Sequence, residues 1–226
     1  SALRDRATHL SGASLACGES HLESLGVSVG RVHQGASGAC PRLVIRHTMR
    51  IPVDSYRLPN GLLVTLSEDH SAPIVAVNLW YHVGSANERE GRTGFAHLFE
   101  HMLFQGSAHV GANEHFELVQ RAGGTLNGST WLDRTNYFET VPSNHLATAL
   151  WLEADRMGAL LPAMTQEKLD TQRDVVKNER RWSVDNQPYG TWWERLPALC
   201  FPPEHPFHHS LIGSMEHLSE ASLEDI

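Results

Sequence analysis

The spacing of apolar residues from Tyr56 onward predicts strands first and helices later. Two short apolar runs flank Pro59-Asn60-Gly61, a sequence typical of a β-hairpin turn. Between Ile74 and Val83 the apolar positions alternate with more polar ones, which predicts a long, half-buried strand. Two further strands are predicted at Thr125–Trp131 and Asn136–Val141.

Helical periodicity dominates the remainder of the chain. The predicted helices, with their capping residues, are Thr93–Gln105, Glu114–Ala122 behind Asn113, Ser143–Leu161 capped by Ser143, Thr165–Asp185 capped by Thr165, Pro188–Leu199, and the start of a helix at Ala221–Ile226. Because strands and helices occur in separate groups, the pattern favours an α+β fold over an alternating α/β fold.

Two histidines and a glutamate fall on one face of the first predicted helix. His97, Glu100 and His101 stand at positions i, i+3 and i+4, within roughly a third of the helix circumference. Two imidazoles can hold a divalent metal while a carboxylate acts on the adjacent water, and H-x-x-E-H is the inverted zinc-protease signature. The surrounding segment is apolar on nearly all sides, so it should be buried, where unpaired ionisable groups are costly. The alternative is two partly exposed histidines beside a paired or capping glutamate.

A catalytic zinc site needs a third protein ligand, and Glu179 on the predicted helix Thr165–Asp185 can supply it. Its carboxylate lies near an apolar stripe expected from Val175, Val176 and Trp182, so it could turn inward. A solvated glutamate paired with nearby arginine or lysine is the alternative.

Three motifs in order resemble the M16 metallopeptidases: His97-x-x-Glu100-His101, Gly123-Gly124-Thr125-Leu126-Asn127, and Arg173-Asp174-Val175-Val176-Lys177-Asn178-Glu179. The resemblance covers about Tyr56–Ile226. It implies an antiparallel sheet with helices packed on one face. It further implies one zinc ion per chain, bound by His97, His101 and Glu179, with Glu100 as general base.

The same resemblance implies how a peptide substrate is held. Gly124–Thr130 is similar to the family's substrate-edge strand, where a peptide adds as an extra strand, and Asn127, Gly128 and Thr130 would contact it. An ordinary edge strand, with Asn127 capping a turn, is the alternative. Gln172 stands where several family members carry a second acid, so here an uncharged amide would support the zinc ligands.

The expected function is therefore a zinc-dependent endopeptidase that hydrolyses peptides or unfolded segments. A non-catalytic assembly subunit with the same fold is the alternative, although such a subunit has no physical need for all four site residues. The resemblance also implies a clamshell of two related halves, of which this chain is the first, truncated at its C-terminal end. The second half would come from the same gene or from a partner subunit, with a dimer as one arrangement. We expect the isolated chain to be weakly active.

Composition and charge limit the classes of partner and the location that we expect. A net charge of −8 argues against nucleic acid as a partner, and the longest apolar runs, near Ile74–Trp80, are too short to span a membrane. Residues 1–48 are expected to be a disordered or non-native extension, with the zinc-binding domain at 49–226. No clean signal pattern precedes Met49, which favours a cytoplasmic over a periplasmic location.

Other candidate residues are given simpler interpretations. The three cysteines, Cys17, Cys40 and Cys200, are expected to be unpaired thiols, since three fit neither a disulfide framework nor a cysteine zinc site. Five histidines outside the motif are expected to be surface or loop residues rather than a second metal site: His82, His109, His205, His208 and His209.

Overall fold

The computed structural model describes residues 27–29, 45–47 and 51–225. The chain divides into two compact units, Ser1–Ser71 and Ala72–Ile226. In the first unit, the short strands β1 (Val27–Val29) and β2 (Ile45–His47) pair antiparallel. The rest of the extension expected over residues 1–48 lies outside the described residues, so that expectation stays a prediction.

The predicted hairpin is confirmed in the first unit. Strands β3 (Asp54–Arg57) and β4 (Leu63–Leu66) pair antiparallel. At the turn, Gly61 takes a φ of 90°, which glycine adopts without steric cost, and Asn60 Oδ1 accepts the backbone N–H of Leu62 at 3.2 Å. These are the turn residues that the sequence singles out.

The second unit is built on a three-stranded antiparallel sheet, as the resemblance implies, and its strands lie where strands are predicted. Its strands are β5 (Ile74–Tyr81), β6 (Thr125–Thr130) and β7 (Thr135–Pro142), in the order β5-β7-β6. The central strand β7 pairs with both neighbours and is the most buried of the three. Among the described residues, β6 therefore has one main-chain edge outside the sheet pairing.

Six α-helices accompany the sheet within residues 51–225: α1 (Phe95–Met102), α2 (Glu114–Arg121), α3 (Leu146–Ala159), α4 (Gln166–Arg180), α5 (Trp192–Cys200) and α6 (Met215–Glu220). The first five lie where helices are predicted. Helix α6 is missed, and the predicted helix start at Ala221 is only a short 3₁₀ turn, Leu223–Asp225.

The predicted helix caps have mixed outcomes. Thr165 caps α4 as expected, since its hydroxyl accepts a first-turn backbone N–H at 3.3 Å. Asn113 makes no side-chain cap and adopts a left-handed conformation with φ 66°, so this prediction is wrong. The prediction for Ser143 is also wrong, because a 3₁₀ turn that begins at Ser143 precedes α3.

Helices cover one face of the sheet. Alternate residues of β5, including Val75 and Val77, pack with Val119 of α2 and with Ala149 and Leu152 of α3. The intervening positions of β5 are exposed. This alternation confirms the predicted α+β arrangement.

Helices α1 and α4 pack directly on each other and fix the geometry of the site. Leu98 and Met102 of α1 contact Leu169 and Val176 of α4 in one fully buried cluster. The predicted stripe of Val175, Val176 and Trp182 is wrong in two of its three members, since Val175 is 41% exposed and Trp182 is 73% exposed. Leu169 and Val176 are seven residues apart, two helical turns, so they share the face that meets α1.

Candidate metal centre

The packing of α1 on α4 brings together three side chains that are far apart in sequence. Glu179 Oε2 lies 3.4 Å from His101 Nε2 and 3.9 Å from His97 Nε2. The two imidazole rings are 4.8 Å apart and nearly perpendicular. One ligand atom from each residue lies within 4.8 Å of the other two. The three residues predicted as metal ligands therefore converge on one point.

This donor set fits a zinc ion. Zinc–nitrogen and zinc–oxygen distances of about 2.0–2.2 Å in a tetrahedral site place neighbouring ligand atoms roughly 3.3–3.5 Å apart. The separations of 3.4 and 3.9 Å are close to that range. Two imidazoles and one carboxylate also leave a fourth position open, which is the pattern of catalytic rather than structural zinc sites.

Burial and neighbouring charges shift the pKa values of these three groups in different directions. Burial, followed by repulsion from His101, lowers the pKa of His97 to about 4, so its imidazole is neutral and able to bind metal. Burial alone would lower the pKa of His101, but hydrogen bonding to Glu179 and the charge of Glu179 outweigh it and raise the pKa. The hydrogen bond from His101 lowers the pKa of Glu179. An anionic Glu179 facing two imidazoles is an attractive site for a cation.

Gln172 supports the site as an uncharged acceptor. Its Oε1 accepts a hydrogen bond from His101 Nδ1 at 3.3 Å. Because Nδ1 donates to Gln172, Nε2 is the ring nitrogen that faces Glu179 and would bind a metal ion. The supporting role that the resemblance implies for Gln172 stays a prediction, and this contact is consistent with it.

Glu100 lies on α1 beside the two histidines, and its carboxylate is hydrogen-bonded to a residue of the sheet. Thr130 Oγ1 donates a hydrogen bond to Glu100 Oε2 at 2.6 Å. Burial raises the pKa of Glu100, and the Thr130 hydrogen bond partly offsets this effect. A partly desolvated carboxylate next to a metal-ligand set is suited to proton transfer.

The three predicted substrate contacts lie on β6 but differ in exposure. Asn127 is exposed and Gly128 is partly buried. Thr130 is only 6% exposed and gives its hydroxyl to Glu100. A side-chain contact between Thr130 and substrate is therefore disfavoured, although its main chain belongs to the edge strand.

Sequence reasoning misses the residue that caps α1. Glu88 Oε1 accepts the N–H of Ala96 at 2.8 Å, and Oε2 accepts the N–H of Gly94 at 3.0 Å. Gly94 itself occupies the N-cap position with φ 89° and has no side chain to cap with. The lack of a Ser, Thr, Asp or Asn at this position is the sequence signal that another group satisfies the helix end.

His209 contacts the Glu88 carboxylate that caps α1. Its Nε2 lies 3.1 Å from Glu88 Oε2 and 2.8 Å from the Ser85 carbonyl. The hydrogen bond to Glu88 raises the pKa of His209. His209 lies outside the helices and strands, as expected of a surface or loop histidine, but its side chain is only 24% exposed.

A second convergent group is buried under the sheet. His115, Glu139 and Glu153 also bring ligand atoms within 4.8 Å of one another. Arg156 donates to Glu153, and His115 Nε2 lies 3.4 Å from Glu139 Oε2. Because a guanidinium and an imidazole face the two carboxylates, the group forms paired interactions within the core, and we assign it no metal.

Two further observations concern the remaining expectations. Cys200 is an exposed free thiol, as predicted, whereas Cys17 and Cys40 lie outside the described residues. No helix in the described part of the chain is both long and apolar enough to cross a membrane.

Known proteins match the chain in sequence and in fold. Residues 63–198 match the model of Insulinase (Peptidase family M16). The zinc protease PqqE of Helicobacter pylori is 35% identical over 174 residues, which cover 76% of this chain and 38% of that protein. A probable mitochondrial-processing peptidase subunit beta of Arabidopsis thaliana is 28% identical over 169 residues, which cover 75% and 31% respectively.

The fold comparison agrees with the sequence comparison. The crystal structure of a protease from Helicobacter pylori superposes with a TM-score of 0.74 at 34% identity, covering 77% of this chain and 42% of that one. This chain spans less than half the length of each of these three proteins. The family model matches more than half of the chain, and the three motif segments lie together in the fold: the chain belongs to peptidase family M16.

Proposed function

We propose that this chain carries the zinc site of a zinc-dependent endopeptidase that hydrolyses peptides or unfolded segments. The observation that carries the proposal is the convergence of His97, His101 and Glu179. Glu100 lies next to His101 on helix α1. The names of relatives such as the zinc protease of Helicobacter pylori agree with it.

His97 Nε2, His101 Nε2 and one oxygen of Glu179 would hold a single zinc ion. When bound there, zinc would supply Lewis acidity that brings the pKa of a coordinated water towards about 7. Two side chains of this chain prepare the site for the ion. Gln172 keeps the proton of His101 on Nδ1, and the carboxylate of Glu179 supplies the negative charge that favours a cation.

Glu100 is the proposed general base. It would take the proton of the attacking water and later deliver it to the leaving amine, so that the peptide bond is cleaved without free hydroxide or a free amide anion. Burial raises the pKa of Glu100 because it disfavours the charged carboxylate. The raised pKa favours both the uptake of the proton from water and its later delivery to the amine.

The peptide is proposed to bind in extended form along β6. The sheet order leaves one main-chain edge of this strand unpaired among the described residues, which suits the addition of another strand. Asn127 is exposed on this strand and would contact substrate, with Gly128 beside it. Main-chain pairing would accept many sequences, as expected for an enzyme acting on unfolded segments.

A second M16-like half is proposed to complete the enzyme, either from the same gene or from a partner subunit. The proposal is supported by the lengths of the matched relatives, of which this chain spans 38% or less in the two sequence comparisons. We therefore expect the chain alone to bind zinc and to cleave peptides slowly.

Metal analysis combined with a peptide assay tests the function. Purified chain should contain about one zinc, as measured by elemental mass spectrometry. Glu179→Gln should lose most of it, whereas Glu167→Gln, at an exposed position on the same helix, should not. Glu100→Gln should keep zinc and lose chelator-sensitive hydrolysis of an unstructured fluorogenic peptide.

The outcomes separate the enzyme from an assembly subunit. Zinc well below one per chain, unaffected by Glu179→Gln, would favour the non-catalytic role. Wild-type cleavage by Glu100→Gln would contradict the proposed mechanism, even if zinc were present.

A further inference from the structure

Glu100 must present one particular oxygen to the reacting water, and the structure contains a side chain that fixes this choice. Thr130 Oγ1 donates to Glu100 Oε2 at 2.6 Å, within the range of charge-assisted O–H···O⁻ bonds. No hydrogen bond to Oε1 is present among the described residues. The two carboxylate oxygens are therefore inequivalent: Oε2 has a strong donor, whereas the lone pairs of Oε1 are free.

Thr130 is itself held rigidly. It is 6% exposed, so water has little access to replace its hydroxyl. As a β-branched residue in a strand it has few accessible side-chain rotamers. Its ladder partner is Thr135 on the buried central strand, and Thr135 is anchored by its own hydroxyl bond to the Val83 carbonyl at 2.8 Å. The donor that Glu100 meets therefore has a fixed position.

The location of Thr130 links Glu100 to the proposed peptide-binding edge. Thr130 is the last residue of β6, three residues after Asn127. Its side chain faces α1, whereas Asn127 is exposed. The same strand thus carries the proposed substrate contact and the donor to Glu100.

We propose that Thr130 is a positioning residue, which holds Glu100 Oε2 so that Oε1 is the oxygen that takes the proton from water. This inference rests on the proposed peptidase function, and it gives Thr130 a role other than side-chain contact with substrate. Loss of a hydrogen bond to a charged group corresponds to about a 10- to 100-fold change in rate.

Three variants of Thr130 and one control variant test the positioning role. Each is made in the longest natural form of the polypeptide. Thr130→Val keeps the shape but removes the hydroxyl, Thr130→Ser keeps the hydroxyl, and Thr130→Ala serves if the valine variant does not fold. The control, Thr65→Val, changes an exposed strand threonine on β4, which the proposed substrate-binding strand does not include. We expect Thr130→Val to keep zinc and KM and to lose kcat by about 10- to 100-fold, with Thr130→Ser within a few-fold of wild type.

Crystal structures of the zinc-loaded variants supply a readout that does not depend on activity. The Glu100 carboxylate should rotate away from its wild-type orientation in Thr130→Val and keep it in Thr130→Ser and Thr65→Val. An unchanged carboxylate, or an unchanged kcat in the hydroxyl-free variants, would overturn the positioning role. If wild-type protein shows no chelator-sensitive hydrolysis, the peptidase function fails, while the crystallographic comparison still tests the orientation of Glu100.

Discussion

His209 Nε2 lies 3.1 Å from Glu88 Oε2, joining residues 121 positions apart at the start of the helix that carries the HxxEH motif. Glu88 in turn accepts two backbone N–H groups at that helix end. A carboxylate placed there satisfies buried donors and also interacts favourably with the helix dipole. The orientation of His97 and His101 therefore depends on residues outside the motif.

Glu88→Gln should destabilise the protein and weaken zinc binding. The amide retains one acceptor but loses the charge that interacts with both the helix end and His209, a loss of about 1–2 kcal/mol in the free energy of unfolding. Urea denaturation with and without zinc measures both the loss of stability and the weaker zinc binding. Glu90→Gln, at an exposed position nearby, is the control and should change stability by less than about 0.5 kcal/mol. Equal effects of the two substitutions would show that the cap is not important.

The His209–Glu88 pair should make stability depend on pH. The pKa of His209 is raised in the folded protein, mainly by its hydrogen bond to Glu88. The stabilisation is therefore complete below the unfolded pKa of about 6.5 and is lost as pH rises through the higher folded value. The free energy of unfolding of wild type, compared with His209→Gln, should decrease from about pH 6 to pH 8. Parallel curves for the two proteins would contradict this linkage.

Gln172 should control zinc affinity through His101. Gln172→Ala removes the acceptor for His101 Nδ1, and loss of such a partner weakens metal binding by roughly 10- to 100-fold. Gln172→Glu replaces the acceptor with a charged one and should strengthen binding. Competition with a fluorescent zinc chelator measures both constants. The exposed Gln120→Glu is the control for added charge, and tighter binding in that variant would point to a general electrostatic effect.

The sequence predicts the site well where it depends on local periodicity. His97, Glu100 and His101 share one helix, so their common face follows from the 3.6-residue repeat alone. The hairpin around Gly61 and the strands of the sheet are predicted for similar reasons, because turn residues and period-two alternation are local signals.

Other features depend on contacts that no local pattern encodes. The cap from Glu88 and its support by His209 join segments that meet only in the folded chain. Helix α6 has only six residues, too few to establish a periodic pattern. The stripe expected on α4 fails because Val175 and Trp182, seven residues apart, point to a side of the helix about 100° away from the buried Val176.

The contact between α1 and α4 gives the last prediction. Leu169 is fully buried against α1, so Leu169→Ala should lower the free energy of unfolding by about 2–5 kcal/mol through lost burial and an unfilled cavity. Val175→Ala lies on the same helix but is 41% exposed, so it should cost well under half as much. Because α1 supplies two proposed ligands and α4 the third, saturating zinc should raise the melting temperature of Leu169→Ala. Thermal unfolding of both variants, with and without zinc, measures these effects. Similar losses in the two variants would show that α1 does not dock on α4 through Leu169.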